Sequence, residues 1–523
     1  MAWTDVMGAE ELTAKGKALI RRDGLQVLIL HTERGLFACA NRCPHEGYPL
    51  REGALSDGCV LTCNWHNWKF DLSTGETLVG GDRVRRFPVS VEAGRVLLDL
   101  TPEDPAVRIA RARAGLLQAL DKEEQDRLVR ESARLLRLGV GPETFVADAV
   151  CWAAERQEFG TQHAIAASAD WLALYDRRGS DADRKLAAIG EVLGHIAEDA
   201  RGGRRYPFPA GEAPWSDAAF RAAIEREDEA AAIACLRGGL ATGMTARDFL
   251  PSLAAAALEH YADFGHSLIY SVKTAALAAR LDGEASGPLL LMLARHLIYM
   301  TREDELPEFR DYRARRAEWG RAGKSPPLEK DSVLGVPAKT AMATVAAWSA
   351  HHAPRDIYAV LVEAAAWMLL HVDEGAFHRT DGKIADNVNW LDFTHALTFA
   401  EAGLAAVRLD EALWPPLLLQ LACFIGRNHA HVDRSQDVSA FAAPDPRQFE
   451  AEALDIVFDH GADGFILSAH LLKTLMAGLA LAAALPEAAA TIRAALNRLL
   501  HARVKRRHIL RAARQMRAFV AQE

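Results

Sequence analysis

The sequence predicts an α+β multidomain protein, with a small N-terminal β domain over residues 1–103 and a large all-α domain over 104–523. Three observations carry this. Up to about Leu100, apolar runs such as LQVLIL and RVLLDL are broken by Gly24, Gly35, Gly53, Gly75 and Gly94, the pattern of short strands and turns. The segment TPEDPAVR, with Pro102 and Pro105, then interrupts any regular element and reads as a linker. Beyond it Ala and Leu dominate, and apolar residues recur at intervals of three and four, as in LLQALDKEEQDRLVRESARLLRLGV, which is helical periodicity.

The bulk properties narrow the function. The 523 residues are half apolar and a quarter charged, ample for a packed core in each domain. Net charge is −9 with both signs interspersed, so no nucleic-acid partner and no membrane surface is expected. The opening MAWTDVMGAEELTAKGKALI has no basic region followed by an apolar core, and no later stretch reads as a bilayer-spanning helix, so a cytoplasmic location is expected. Seven cysteines in so long a chain do not form a disulfide framework; two are thiolate ligands below, and the others read as small core residues. The charged, proline-containing stretch TREDELPEFRDYRARRAEWGRAGKSPPLEKDS has no clean apolar face and is expected to be a long loop.

Two short segments carry chemistry in the β domain. CPH at 43–45 and CNWH at 63–66 give C-x-H, seventeen intervening residues, then C-x2-H. With Trp65, Trp68, Phe70 and the turn DLSTG, this pattern resembles the Rieske family of the oxygenase and ferredoxin type. The resemblance implies a [2Fe–2S] cluster with Cys43 and Cys63 on one iron and His45 and His66 on the other. A Cys2His2 zinc site is the competing reading, disfavoured because zinc fingers do not share this loop context. Quinol-oxidising Rieske proteins link their two loops by a disulfide, at positions held here by Tyr48 and Trp65, which again favours the oxygenase and ferredoxin branch. Such a cluster passes single electrons, so an acceptor is expected.

The mononuclear-iron domain of most Rieske oxygenases, β-rich with two histidines and a carboxylate, is not found: Glu259, His260 and His266 have the wrong intervals and lie in a helical region. Histidines instead sit on apolar helices, in FGTQHAIAASADWLALY, ADFGHSLIYSVK, WLDFTHALTFAEA and DGFILSAHLLKTL. A buried imidazole needs a partner, which for any one histidine can be a backbone carbonyl or a carboxylate. Lys473 follows His470 by three residues on one helix face, amid Leu, Ala and Met, where a charged amine is costly; snorkelling to the surface or pairing with Asp463 is the alternative.

These segments resemble the questin oxidase-like family, which includes a fungal Baeyer–Villiger-type oxidase and a ring-opening anthraquinone dioxygenase. The resemblance implies a single Fe(II) bound by four histidines and a lysine carried as its carbamate: His163, His266, His395, His470 and Lys473. His195, His260 and His429 remain alternative ligands. A carbamate would supply the anionic oxygen donor that four neutral imidazoles lack, and it forms from the neutral amine that burial favours. The sequence departs from the family in its fused Rieske domain and in Tyr270 and Lys273, which follow His266 where an apolar wall is expected.

The reading that results is a non-heme iron oxygenase whose cluster feeds electrons to the mononuclear iron, with O2 as co-substrate and an aromatic or polycyclic small molecule hydroxylated, cleaved or given an inserted oxygen. No Gly-rich nucleotide fingerprint follows a strand, so a separate NAD(P)H-dependent reductase or ferredoxin is expected as electron donor; a homo-oligomer is left open. Trp171, Tyr175, Tyr270 and Trp390 are expected near the pocket. The competing readings are an electron-transfer or redox-sensing protein with a metal-free helical scaffold, and a two-metal site using Glu158, Glu198 and Glu259.

Overall fold

A computed structural model describes residues 3–521 except 23, 178, 180, 201–202, 282, 381, 385–386 and 505–507. The chain divides into two compact units, Met1–Arg111 and Ala112–Glu523. Only Thr101–Asp104 of the proline-containing segment lack regular structure, because Pro105 opens the helix Pro105–Asp121, where its fixed φ and missing N–H cost nothing.

Among the described residues the first unit holds three antiparallel sheets. Trp3–Gly8 pairs with Arg95–Asp99, and that strand with Val89–Glu92. Lys17–Arg22, Leu25–Thr32 and Gly35–Ala40 form a meander, and Ala54–Ser56, Val60–Thr62, Lys69–Asp71 and Thr77–Val79 form another. The uninterrupted run LQVLIL is explained by burial on both faces. Leu28 and Leu30 enter one core with Cys39, Cys43, Leu61, Cys63 and Phe70, whereas Val27 and Ile29 enter a second with Val96 and Leu98.

The second unit is helical. The long periodic run near its start forms two helices, Pro105–Asp121 and Gln125–Arg137, parted where Glu123 takes φ 53°. Four helices close a ring around the candidate site: His163–Asp176 packs on His266–Leu281, that on Trp390–Val407, that on Phe465–Ala484, and the last back on the first. Phe465–Ala484 corrects one sequence expectation, since its 20 residues are long and apolar enough to cross a bilayer. Here it is a core helix, with Leu467, Leu472, Leu475 and Leu481 buried.

The stretch 301–332 is also more ordered than expected. It contains the helix Tyr312–Ala317 and short turns at Glu303–Glu305 and Lys330–Ser332, and it is pinned by buried Phe309 and Tyr312. The Tyr312 hydroxyl donates to the Leu258 carbonyl at 2.8 Å. Two isolated aromatic anchors make no periodic pattern, which is why the segment reads as loop. Of the cysteines outside the motif, Cys39, Cys59, Cys235 and Cys423 are buried, while Cys151 is exposed, contrary to its expected place in the core.

Candidate metal centres

In the first unit two loops of matching geometry face each other. The Cys43 N–H donates to the Tyr48 carbonyl at 2.9 Å and the Gly47 N–H to the Cys43 carbonyl at 2.8 Å. In the second loop the Cys63 N–H donates to the Trp68 carbonyl at 2.7 Å and the Asn67 N–H to the Cys63 carbonyl at 3.0 Å. Each loop turns on a left-handed residue at the same offset, Gly47 at φ 79° and Asn67 at φ 59°. The result places Cys43 and Cys63 side by side in the core and brings the His45 and His66 Nδ1 atoms to 3.1 Å of each other. Burial, with Cys63 adjacent, pushes the Cys43 thiol up to about 11, so a Cys43 thiolate here requires a cation. Two thiols and two convergent Nδ1 atoms suit a cluster with one sulfur-ligated and one nitrogen-ligated iron. His45 stacks on Trp68 (4.7 Å) and His66 on Trp65 (4.6 Å), fixing both rings. Tyr48 and Trp65 meet at 5.7 Å as rings.

In the second unit the ring of four helices brings together His163, His266, His395 and His470, with one nitrogen of each within 4.8 Å of the others. His395 Nε2 lies 2.9 Å from His266 Nε2 and 3.4 Å from His470 Nε2. His163 and His266 open their helices, and His395 and His470 stand sixth in theirs, so all four lie in the first two turns. Three rings are keyed by carbonyls of their own helix starts: Nδ1 of His266, His395 and His470 contacts the oxygen of Asp263 (2.6 Å), Leu391 (2.5 Å) and Ile466 (2.6 Å). A neutral imidazole donating from Nδ1 leaves its Nε2 lone pair free, which is the orientation a metal ligand needs. Burial, with neighbouring cationic charge, holds all four imidazoles well below their ordinary range and therefore neutral.

Lys473 joins this group. It is buried, and its Nζ lies 3.5 Å from His470 Nε2. Burial lowers its amine to about 7, against the opposing pull of Asp170. It neither snorkels nor reaches Asp463; its nearest carboxylate influence, Asp170, is itself paired with Lys273 at 2.9 Å. Lys273, unexpected in this wall, also lies 3.2 Å from Glu401. Asp170 and Lys273 each follow a site histidine by seven residues, so an ionic layer sits two turns along the same helices.

The backbone before His266 is strained. Asp263, Phe264 and Gly265 take φ of 46°, 54° and 80° in succession. The Phe264 N–H donates to Glu303 Oε2 (3.1 Å) and the Phe264 ring, under the Arg427 guanidinium, meets His395 edge-on at 4.7 Å. A cavity of about 480 Å³ reaches the site where His470 forms part of its wall, with Leu391, Leu467, Leu471, Leu499 and Leu500 around it. Its size suits a small organic molecule.

A family model described as the Rieske [2Fe-2S] domain matches residues 2–86. The ferredoxin component of the p-cumate 2,3-dioxygenase system of Pseudomonas putida is 30% identical over 103 residues, 18% of this chain and 87% of its own. The chain belongs to the Rieske [2Fe-2S] family. The ferredoxin component of the alkene monooxygenase system of Xanthobacter autotrophicus is 35% identical to the Rieske domain over 78 residues, 15% of this chain. The chain spans 64% of that ferredoxin and 24% of apoptosis-inducing factor 3 of Mus musculus, another relative. Among solved structures, the ferredoxin of carbazole 1,9a-dioxygenase from Nocardioides aromaticivorans is similar at 22% identity and a TM-score of 0.18, covering 19% of this chain and all of its own.

Outside the Rieske domain, several expected residues lie elsewhere. His260 is clasped between Asp304 (3.0 Å) and Glu225 (2.9 Å), which outweighs its burial and raises its pKa. His195 stacks on Phe465 and is lowered to about 3 by burial, and His429 Nδ1 contacts the Gly426 carbonyl at 2.7 Å. Glu158 accepts from the Tyr206 hydroxyl and Glu259 pairs with Arg316, while Asp263 Oδ2 lies 3.8 Å from His266 Nδ1. Of the aromatic residues expected at the pocket, Tyr270 meets His266 (5.2 Å) and His163 (5.7 Å). Trp171 packs on Phe458, Tyr175 lies under Lys185, and Trp390 packs on Phe377, none of them against the site histidines.

Sequence reasoning passed over His296, whose ring meets Tyr270 at 4.9 Å and whose Nε2 lies 3.5 Å from Asp263 Oδ2. Its segment LLLMLARHLIY carries the same signal as the other four, a histidine on an apolar helix.

Proposed function

We propose that the chain is a Rieske-containing non-heme iron oxygenase of questin oxidase-like type, in which Cys43, His45, Cys63 and His66 hold the [2Fe–2S] cluster and His163, His266, His395, His470 and carboxylated Lys473 hold one Fe(II). The observation that carries this reading is the convergence of four neutral imidazoles within 4.8 Å, three of them keyed through Nδ1, beside a buried lysine poised to lose its proton. Such a constellation is costly as mere core, because each polar Nε2 is taken from water without an assured partner.

When bound, the mononuclear iron supplies O2 activation and the cluster supplies single electrons. The chain's residues do the rest. Leu391, Leu467 and Leu471 form apolar walls that exclude water and orient a small, aromatic or polycyclic substrate beside His470. Backbone carbonyls of Asp263, Leu391 and Ile466 hold the imidazoles in one tautomer. Electrons come from a separate NAD(P)H-dependent reductase or ferredoxin, a reading supported by relatives that are named as ferredoxin components of oxygenase systems.

The test is anaerobic iron and acid-labile sulfide analysis with EPR on wild type, His395→Ala and Lys473→Ala. About three irons per two sulfides are expected in wild type, falling to about two in both variants with the Rieske signal intact. About two irons in every sample, with no other bound metal, would leave an electron-transfer protein on a helical scaffold.

A further inference from the structure

The cavity beside His470 is not uniformly apolar. Its lining also includes His460 and the exposed Asp463 and Arg503. His460 is fully used: its Nδ1 accepts from the Ala462 N–H at 2.9 Å, which leaves Nε2–H to donate to Glu191 at 3.1 Å. Asp463 is engaged as well. Arg503 is different. It is exposed, it lines the cavity, and it has no hydrogen-bond or ion-pair partner among the described residues. Other arginines with a carboxylate in reach use it, as Arg498 does with Glu374 (3.2 Å) and Arg184 with Asp455 (2.7 Å).

Between Glu487 and Glu523 the sequence has no acidic residue, and Arg503 lies within that span, so its charge is not balanced by its own segment. The rest of the wall offers less to a polar molecule, since the Thr394 hydroxyl already donates to the Leu391 carbonyl at 3.0 Å and aliphatic side chains, leucines foremost, supply most of the lining. A ligand that satisfies both regions is apolar for most of its length and bears an ionised acidic group at one end.

We infer that the substrate is an aromatic acid, held with its carboxylate on the Arg503 guanidinium and its ring system in the cavity against His470. That the acid is aromatic and is the substrate rests on the oxygenase reading; that an apolar acid binds beside Arg503 does not. Arg503 is a specificity-determining residue, placed to select the charged molecule and to set which ring position faces the histidines.

The experiment measures binding of anthracene-2-carboxylate and its neutral isostere anthracene-2-carboxamide to the full-length protein by equilibrium dialysis, with iron content determined on the same samples. Wild type should prefer the carboxylate by about tenfold, the scale of one charge-assisted hydrogen-bonded contact. Arg503→Gln should abolish the preference, Arg503→Glu should reverse it, and Leu471→Trp, which fills the cavity, should weaken both probes together. Equal binding of the two probes, a preference that survives Arg503→Gln, binding untouched by Leu471→Trp, or no binding of either probe would overturn the inference. Should the third iron be missing while the Arg503-dependent preference persists, the oxygenase reading fails and the aromatic-acid site stands. With the iron present and no preference, the reverse holds.

Discussion

Lys473 Nζ lies 3.5 Å from His470 Nε2, one turn further along the same buried helix. In the metal-free protein this amine has no carboxylate bonded to it among the described residues, and burial lowers it from 10.5 to about 7. Below about pH 7 it is protonated in both folded and unfolded chains, and the folded state carries the full cost of a buried charge. Between about 7 and 10.5 only the unfolded chain binds the proton, so stability rises with pH across that window. Metal-free wild type should therefore gain several kcal/mol, on the order of one kcal/mol per pH unit, that Lys473→Met does not. Thermal melts of the two proteins across this window check it. The site imidazoles are lowered too, but they act below their ordinary 6.5 and leave the window to Lys473.

The carbamate proposed for Lys473 would make iron loading depend on dissolved CO2. Reconstitution with Fe(II) in CO2-depleted anaerobic buffer should leave the mononuclear site largely empty, and added bicarbonate should restore it. Lys473→Ala should not respond to bicarbonate but should recover iron with a small carboxylate such as acetate, which supplies the missing oxygen donor. Iron per labile sulfide is the readout. Loading that is indifferent to bicarbonate in wild type would remove the carbamate from the ligand set.

Gly265 has two reasons to be glycine. Its φ is 80°, and a Cβ there would stand 2.6 Å from the Phe424 ring and 2.9 Å from Phe399. It follows two further left-handed residues and precedes His266, whose Nδ1 takes its orientation from the Asp263 carbonyl. Gly265→Ala should cost about 1–3 kcal/mol in strain and displaced packing. It should also lower iron occupancy of the mononuclear site while leaving the cluster's EPR signal unchanged. Urea titration and metal analysis read the two effects separately.

How much of this was legible depends on the range of the interaction. Cys43, His45, Cys63 and His66 stand in two short loops whose hydrogen bonds are nearly all local, so spacing and neighbours identify them. His163, His266, His395 and His470 are far apart in sequence, but each is a polar residue on an apolar helix start, and that anomaly is visible without contacts. Trp171, Tyr175 and Trp390 show the limit of the same reasoning. Periodicity says that a side chain is buried but not which neighbour it meets, and the partners of these three are Phe458, Lys185 and Phe377. The strained turn at Asp263–Gly265 was illegible because nothing local demands it. It is held by the Thr301 carbonyl and by Glu303, both from the stretch that reads as loop.

Lys273 shows how a residue that looks misplaced in sequence is accounted for by its partners. It pairs with Asp170 at 2.9 Å and lies 3.2 Å from Glu401, all three largely buried. Burial alone would depress the lysine, but the two carboxylates outweigh it and raise its pKa, while burial keeps Asp170 raised despite the lysine. Lys273→Met strands two acids in the helix ring without their cation, which should destabilise the protein by about 3–5 kcal/mol. Replacing Asp170 by Asn in the Lys273→Met background should recover part of that loss, because one of the stranded charges is gone. Urea unfolding of wild type, both single variants and the double variant closes the cycle. A double variant no more stable than Lys273→Met would show that the layer does not act as a coupled ionic unit.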